Sequence, residues 1–312
     1  MKKFLYVLGV IALVAILISQ SFSTAQAKPP DPVNVQILAV NDFHGAVDTS
    51  LTKPTDPLTG KPTTDQTKWY YRGGAEYLAN FVDTAVATNP NTVKVSAGDM
   101  IGASPLLSAA FHDEPTIQAF NLLGFDYSAV GNHEFDEGWQ ELLRMQNGGC
   151  HPVDGCYSGV PEFTGANFEY LTANVVRLDK DKLLFKAYSV KKIGGVKVGF
   201  ISVSLESTPT IVVPSSVEGL EFTAEVAAIN QYAKMFKDEM GIQAIVVLLH
   251  NGSVAGPTIN SCKNNGSVLR QYRHESRSRD RCPDHRPHAQ RLQLPGSGQC
   301  ELRPDDRDRR WL

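Results

Sequence analysis

The chain has 312 residues and a formal net charge of −3, with 42% apolar and 20% charged side chains. These proportions exclude a uniformly basic protein and a low-complexity disordered one, and the length suits one large soluble domain or two small ones. The averages conceal a break: residues 1–269 hold three arginines (Arg72, Arg144, Arg177) and net −7, whereas residues 270–312 hold eleven arginines, no lysine and net +4.

Met1-Lys2-Lys3, an uninterrupted apolar run over 4–18 and Ala25-Gln26-Ala27 are the three parts of a cleavable secretory signal. The run is shorter than the roughly 20 residues of a membrane span. The expectation is a signal peptide over 1–27, with cleavage near Ala27 and no permanent membrane anchor. The mature chain, from near Lys28, then works in a secreted or periplasmic setting. Next come a buried strand at 35–40, a Thr-, Pro-, Asp- and Lys-rich surface loop over 49–66 and an amphipathic helix over 75–87. Strands at 92–96 and 127–130 bracket a helix at 116–123, and a further helix covers 137–146. Gly194-Gly195 turns a hairpin between 185–193 and 196–203. A long helix at 224–240 leads to a strand of aliphatics at 244–249. Such alternation, with near-continuous apolar strands, predicts an α/β domain whose sheets are covered by helices.

Five cysteines suit an oxidising compartment. Cys150 and Cys156 enclose a short polar loop and read as a disulfide, since a zinc site there lacks a second close Cys pair. Cys262, Cys282 and Cys300 leave an odd count.

The chemistry sits where four strands end. The first runs into Asn41-Asp42-Phe43-His44-Gly45 and the second into Gly98-Asp99. The third runs into Gly131-Asn132-His133-Glu134-Phe135-Asp136, and the last into His250-Asn251-Gly252. Ligands of helix-flanked sheets collect beyond the carboxyl ends of strands. Asp, His and Asn are oxygen and nitrogen donors for divalent first-row metals. Asp-x-His spacing sets both side chains on one face of an extended segment. Each piece has a plainer reading: Gly-Asp as a turn, a single His as a surface hydrogen-bonder, Asn-His-Glu with Asp136 as a helix start. Their common placement at strand ends favours a metal site.

The ordered set Asp-x-His, Gly-Asp, Gly-Asn-His-Glu and a strand-terminal His resembles the calcineurin-like metallophosphoesterases. The strings at 40–45, 72–74 (Arg-Gly-Gly) and 131–136 are similar to those of the bacterial 5′-nucleotidase group. The resemblance covers roughly residues 33–269. It implies a four-layer αββα sandwich holding two divalent ions (Mn, Zn, Fe or Co), with Asp42 and His44 on the first, Asn132 and His250 on the second and Asp99 bridging. It also implies hydrolysis of nucleotide phosphomonoesters by a metal-bridging hydroxide. His133 would act on the departing oxygen, with Asp136 orienting its ring. The metal motifs alone leave cyclic phosphodiesters or sulfur esters open as substrates.

The family closes its site with a further strand ending in Gly-His-x-His. Here an arginine-rich tail follows instead, and Asp284-His285 and Arg286-Pro-His288 are preceded by no apolar strand. One permitted codon set for residues 270–295, read one base later, encodes a polar segment, a short apolar run, Gly-His-Thr-His and a cysteine. The expectation is therefore a partial metallophosphoesterase domain over 28–269, incomplete at its C-terminal end. Residues 270–312 then form an out-of-frame, disordered tail beyond a frameshift close to Leu269, with activity impaired or absent. Seven acidic residues, with only Tyr272 and Trp311 for stacking, argue against a nucleic-acid role for that tail. The expected partner is a nucleotide or other phosphate ester.

Overall fold

The computed structural model describes residues 31–55, 60–157 and 161–251. The expectations for the 1–27 signal, for Cys262, Cys282 and Cys300 and for the tail all lie outside these residues. The chain divides into two compact units between Val33 and Asn34, and every element below belongs to the second.

Strands β1 (Gln36–Val40), β4 (Thr92–Ser96), β5 (Tyr127–Ala129) and β6 (Glu169–Leu171) form a parallel sheet in that order. A second sheet has the order β12 (Ala244–Leu249), β10 (Val196–Val203), β9 (Tyr188–Ile193). In it β10 is parallel to β12 and forms the expected hairpin with β9. Period-two alternation decides which face of each strand is buried. Val93 and Val95 of β4 point toward Val198 and Phe200 of β10 and Val246 and Leu248 of β12, making a dry core between the sheets.

The outer faces are covered by helices. Helices α1 (Ala75–Thr88), α3 (Glu114–Leu123) and α4 (Trp139–Asn147) pack over the first sheet through Leu78, Ile117, Phe120, Leu142 and Met145. Helix α5 (Glu225–Asp238) covers the second sheet with Ala228, Ile229, Tyr232, Ala233 and Phe236, the i, i+4, i+8 spacing of one helix face. The order is helix, sheet, sheet, helix, as expected.

Helix boundaries differ from the sequence reading by at most two residues at either end. Helix α4 begins at Trp139 rather than at 137, because His133–Phe135 is a separate 3₁₀ turn. The 49–66 loop contains strand β2 (Ser50–Thr52), which pairs antiparallel with β3 (Tyr70–Arg72). Strands β7 (Val175–Arg177), β8 (Lys182–Leu183) and β11 (Leu220–Phe222) form a small third sheet, too short and mixed in pattern to stand out in the sequence. Helix α2 (Leu106–Ala109) is a single turn. Cys150 and Cys156 are disulfide-bonded. Among the described residues no helix is long and apolar enough to cross a membrane.

Two stretches of backbone cross after α4. Gly149 N–H donates to Phe163 O and Ala166 N–H to Met145 O, both at 2.8 Å. A Cβ on Gly148 would lie 2.5 Å from the Thr164 carbonyl carbon, and one on Gly165 would lie 2.5 Å from Gly148 N. Only glycine allows so close an approach.

Phe236 is fully buried and meets Tyr188 edge-on at 5.0 Å. Phe236→Ala should destabilise the fold by about 3–5 kcal/mol through lost transfer energy and a cavity. Urea unfolding followed by circular dichroism would register this, and an unchanged midpoint would show that α5 does not anchor the second sheet.

Candidate metal centre

The first-sheet strands deliver their polar ends to one edge. Asp42 N–H donates to Gly98 O, His44 N–H to Asp99 O and Gly45 N–H to Met100 O, at 3.0–3.1 Å. This ladder continues the β1–β4 pairing past the strands, yet Asp42 (φ 51°), His44 (φ 47°) and Asp99 (φ 53°) are all left-handed. For non-glycine residues that conformation is uncommon and costs free energy, and it concentrates at functional sites.

Asp99 is the hub. Its carboxylate is buried, with Oδ1 accepting from His133 N–H at 2.9 Å and Oδ2 lying 3.1 Å from His250 Nε2 and 3.9 Å from His44 Nε2. His44 Nε2 is also 3.8 Å from Asp42 Oδ1. Donor atoms of Asp42, Asp99 and His250 lie within 4.8 Å of one another, and so do those of His44, Asp99 and His133. His44 and His250 are each oriented by Nδ1 against a carbonyl, Gly102 O and Ala97 O respectively, both at 2.9 Å. This fixes the tautomer and turns Nε2 toward Asp99, as in metal sites whose ligand imidazoles are held from behind. A Cβ on Gly131 would lie 2.1 Å from Asp99 Oδ1, so that position must be glycine if the carboxylate is to stand there.

Asn132 lies in the same turn and makes no capping bond through its side chain, which removes the plain helix-start reading. Asp136 does not serve a helix start either. Its Oδ2 is 2.9 Å from His133 Nδ1 and accepts from Ala103 N–H at 3.0 Å. The His133 ring meets that of His44 edge-on at 4.9 Å. By distance alone His133 is also a possible third donor beside His44 and Asp99. Every sequence-predicted site residue thus falls on one edge of the sandwich, with Asp42, His44, Asp99, His133 and His250 in direct proximity.

Sequence reasoning gave Glu134 no role. Its buried carboxylate accepts from three backbone N–H groups: Gly131 at 2.6 Å and Asp99 at 2.8 Å on Oε2, and Met100 at 2.8 Å on Oε1. Burial, followed by the Asp99 charge, pushes Glu134 up to about 7. Burial also opposes ionisation of Asp99, but the hydrogen bond and charge of His250 outweigh it and hold that carboxyl below its ordinary value. Burial disfavours the charged form of His250 too, yet the bond to Asp99 and its negative charge push the imidazole up to about 9.

The donor set suits divalent first-row ions: carboxylates and imidazoles clustered on a buried, ionised aspartate, with backbone cut away by glycine. A strand-end cluster of this kind on an αββα sandwich defines the metal-dependent phosphoesterase class. The chain belongs to the calcineurin-like phosphoesterase family, whose model matches residues 35–277. Endonuclease YhcR of Bacillus subtilis is 37% identical over 74% of this chain and 18% of its own length. Cell wall protein Lmo0130 of Listeria monocytogenes is 34% identical over 80% of this chain and 31% of its own. A snake venom 5′-nucleotidase of Gloydius brevicauda is 26% identical over 74% and 35%. The fold matches Haemophilus influenzae NAD nucleotidase with a TM-score of 0.54 at 23% identity, covering 71% of this chain and 35% of that one. The chain therefore spans about a third or less of the length of these relatives.

A metal ligand must be a neutral imidazole, so an ion entering beside Asp99 has to expel the proton from His250. Adding Mn²⁺ or Zn²⁺ at pH 7 to chelator-stripped protein should release about one proton through this residue. Titration calorimetry in two buffers of different ionisation enthalpy would measure it, and His250→Asn should abolish that share. Equal heats in both buffers would remove His250 from the ligand set.

Proposed function

We propose that this edge hydrolyses nucleotide phosphomonoesters in the manner of a 5′-nucleotidase, in a protein exported from the cytoplasm. The observation that carries the reading is the convergence of Asp42, His44 and His250 on buried Asp99, with the His133–Asp136 pair beside them. Asp42 and His44 would hold one divalent ion, Asn132 and His250 a second, and Asp99 would face both. Two such ions (Mn, Zn, Fe or Co) supply Lewis-acid polarisation of the phosphate and a water acidic enough to attack it near neutral pH.

The chain's own residues orient the rest. Asp136 accepts the Nδ1–H of His133 and is itself held by Ala103 N–H, which leaves Nε2 of the ring for the substrate. Burial works against a proton on His133, but the Asp136 bond and charge prevail and raise its affinity for one. The imidazole can thus carry a proton to the departing oxygen, the task of a general acid. Burial of Asp99 keeps water from its carboxylate, which would strengthen its hold on a cation beside it.

A second substrate class has one observation in its favour: the 37%-identical relative is named an endonuclease. The same residues would serve a phosphodiester. Phosphate release from AMP, and cleavage of 2′,3′-cyclic AMP and single-stranded DNA, by the purified Mn²⁺-loaded protein separate the cases. His133→Asn should lower kcat about 100-fold or more while metal content stays at the parent level. If metal is lost together with activity, His133 is a ligand. If the parent cleaves none of the three, the chain is a non-catalytic product.

The reading includes the frameshift close to Leu269, because one codon set permitted by residues 270–295, read one base later, encodes the Gly-His-x-His strand expected after His250. The DNA sequence across codons 260–312 tests it directly. The expected result is a single-base insertion or deletion whose repair restores that motif and a cysteine to partner Cys262. An unaltered frame in independent reads would defeat it.

A further inference from the structure

A second cluster of donors lies in the Phe111–Asp113 turn, in the segment after the His133–Phe135 turn and in the disulfide-bonded loop. Donor atoms of His112, Glu137, Glu141 and His151 all lie within 4.8 Å of one another. They come from three separate stretches of chain, and His112 and His151 have side chains only 17% and 14% exposed. We propose that these four residues bind one zinc-class divalent cation, at a site separate from the cluster around Asp99.

Three observations support this. The first is orientation from behind. His112 Nε2 lies 2.9 Å from Asp154 Oδ2, while Nδ1 faces Glu137 Oε2 at 2.6 Å. An imidazole that donates one N–H to a carboxylate and turns the other nitrogen inward is the usual posture of a metal-bound histidine. Glu141 is fixed in the same way: Arg144 Nε reaches both its oxygens at 2.9 Å, and Nη2 reaches Oε1 at 2.6 Å.

The second is charge. Four carboxylates (Glu114, Glu137, Glu141, Asp154) border the cluster, and the buried guanidinium of Arg144 pairs with two of them, Glu114 and Glu141, each at 2.6 Å. A proton on His112 offsets one of the three remaining negative charges. The His112 and His151 rings are stacked at 3.7 Å and 12°, so charging both would set two imidazolium faces against each other. A dication balances what protons cannot.

The third is the scaffold. Cys150–Cys156 closes the loop, and Gly155 N–H donates to His151 O at 2.9 Å. The backbone N–H of Asp154 donates to His151 Nδ1 at 3.1 Å, which ties the ring to its loop. Two nitrogens and two carboxylate oxygens form an ordinary tetrahedral zinc set, with bonds of about 2.0–2.2 Å.

The site is tested by metal content rather than by activity. Full-length protein is stripped with chelator, exchanged into Zn²⁺ or Co²⁺, freed of excess ion and assayed by elemental analysis and visible absorption. Asp99→Asn, which disables the hub of the other cluster, should retain one equivalent of zinc, and its Co²⁺ form should show intense tetrahedral d–d bands. His112→Ala/His151→Ala should hold one equivalent less than the parent and lack those bands. If Asp99→Asn does not fold, the difference between the parent and the double variant decides. Equal zinc content in parent and double variant, or a folded Asp99→Asn protein that binds none, overturns the proposal and leaves His112 as a protonated bridge between Glu137 and Asp154.

Discussion

One buried carboxylate sets the geometry of the whole site. Glu134 collects N–H groups from the ends of two neighbouring strands, Asp99 and Met100 after β4 and Gly131 after β5. A buried backbone donor left without its partner is costly. The three bonds therefore offset the left-handed backbone of Asp99 and hold its carboxylate at the sheet edge. Once Asp99 is placed, its Oδ1 receives the His133 N–H and its Oδ2 meets His250. The other side chains of the cluster follow from that arrangement.

The electrostatics are those of an acid cluster waiting for positive charge. Glu134 and Asp99 share a desolvated region and cannot both be ionised cheaply, which is why Glu134 is pushed up and His250 keeps its proton. Proton and metal ion compete for the same negative hub. The surrounding polar atoms are already committed to backbone partners, as with His44 on Gly102 O and His250 on Ala97 O, so the exchange requires little rearrangement of side chains.

Much of this was legible in the sequence, for an identifiable reason. The run 244–249 is apolar on both faces, the signature of a strand covered on both sides, while 92–96 alternates Val93 and Val95 with polar neighbours, and glycine-bounded polar motifs at their ends mark where such strands stop. The layer order and the gathering of Asp42, Asp99, His133 and His250 follow from that pattern. Glu134 was not legible, because a carboxylate that serves backbone N–H groups leaves no spacing rule behind. The small third sheet escaped for a related reason: Val175–Arg177 and Lys182–Leu183 are two- and three-residue strands whose pairing depends on tertiary contact. The His112–His151 cluster was hidden as well, since its members are joined by a loop closure that sequence spacing does not encode.

The crossing at Gly148 and Gly165 has an architectural consequence. The chain leaves the helical layer and re-enters it through two segments locked backbone to backbone, so the excursion between them is tethered at its base. Length changes in that excursion would be absorbed beyond the lock. The edge that carries Asp99 would keep its shape.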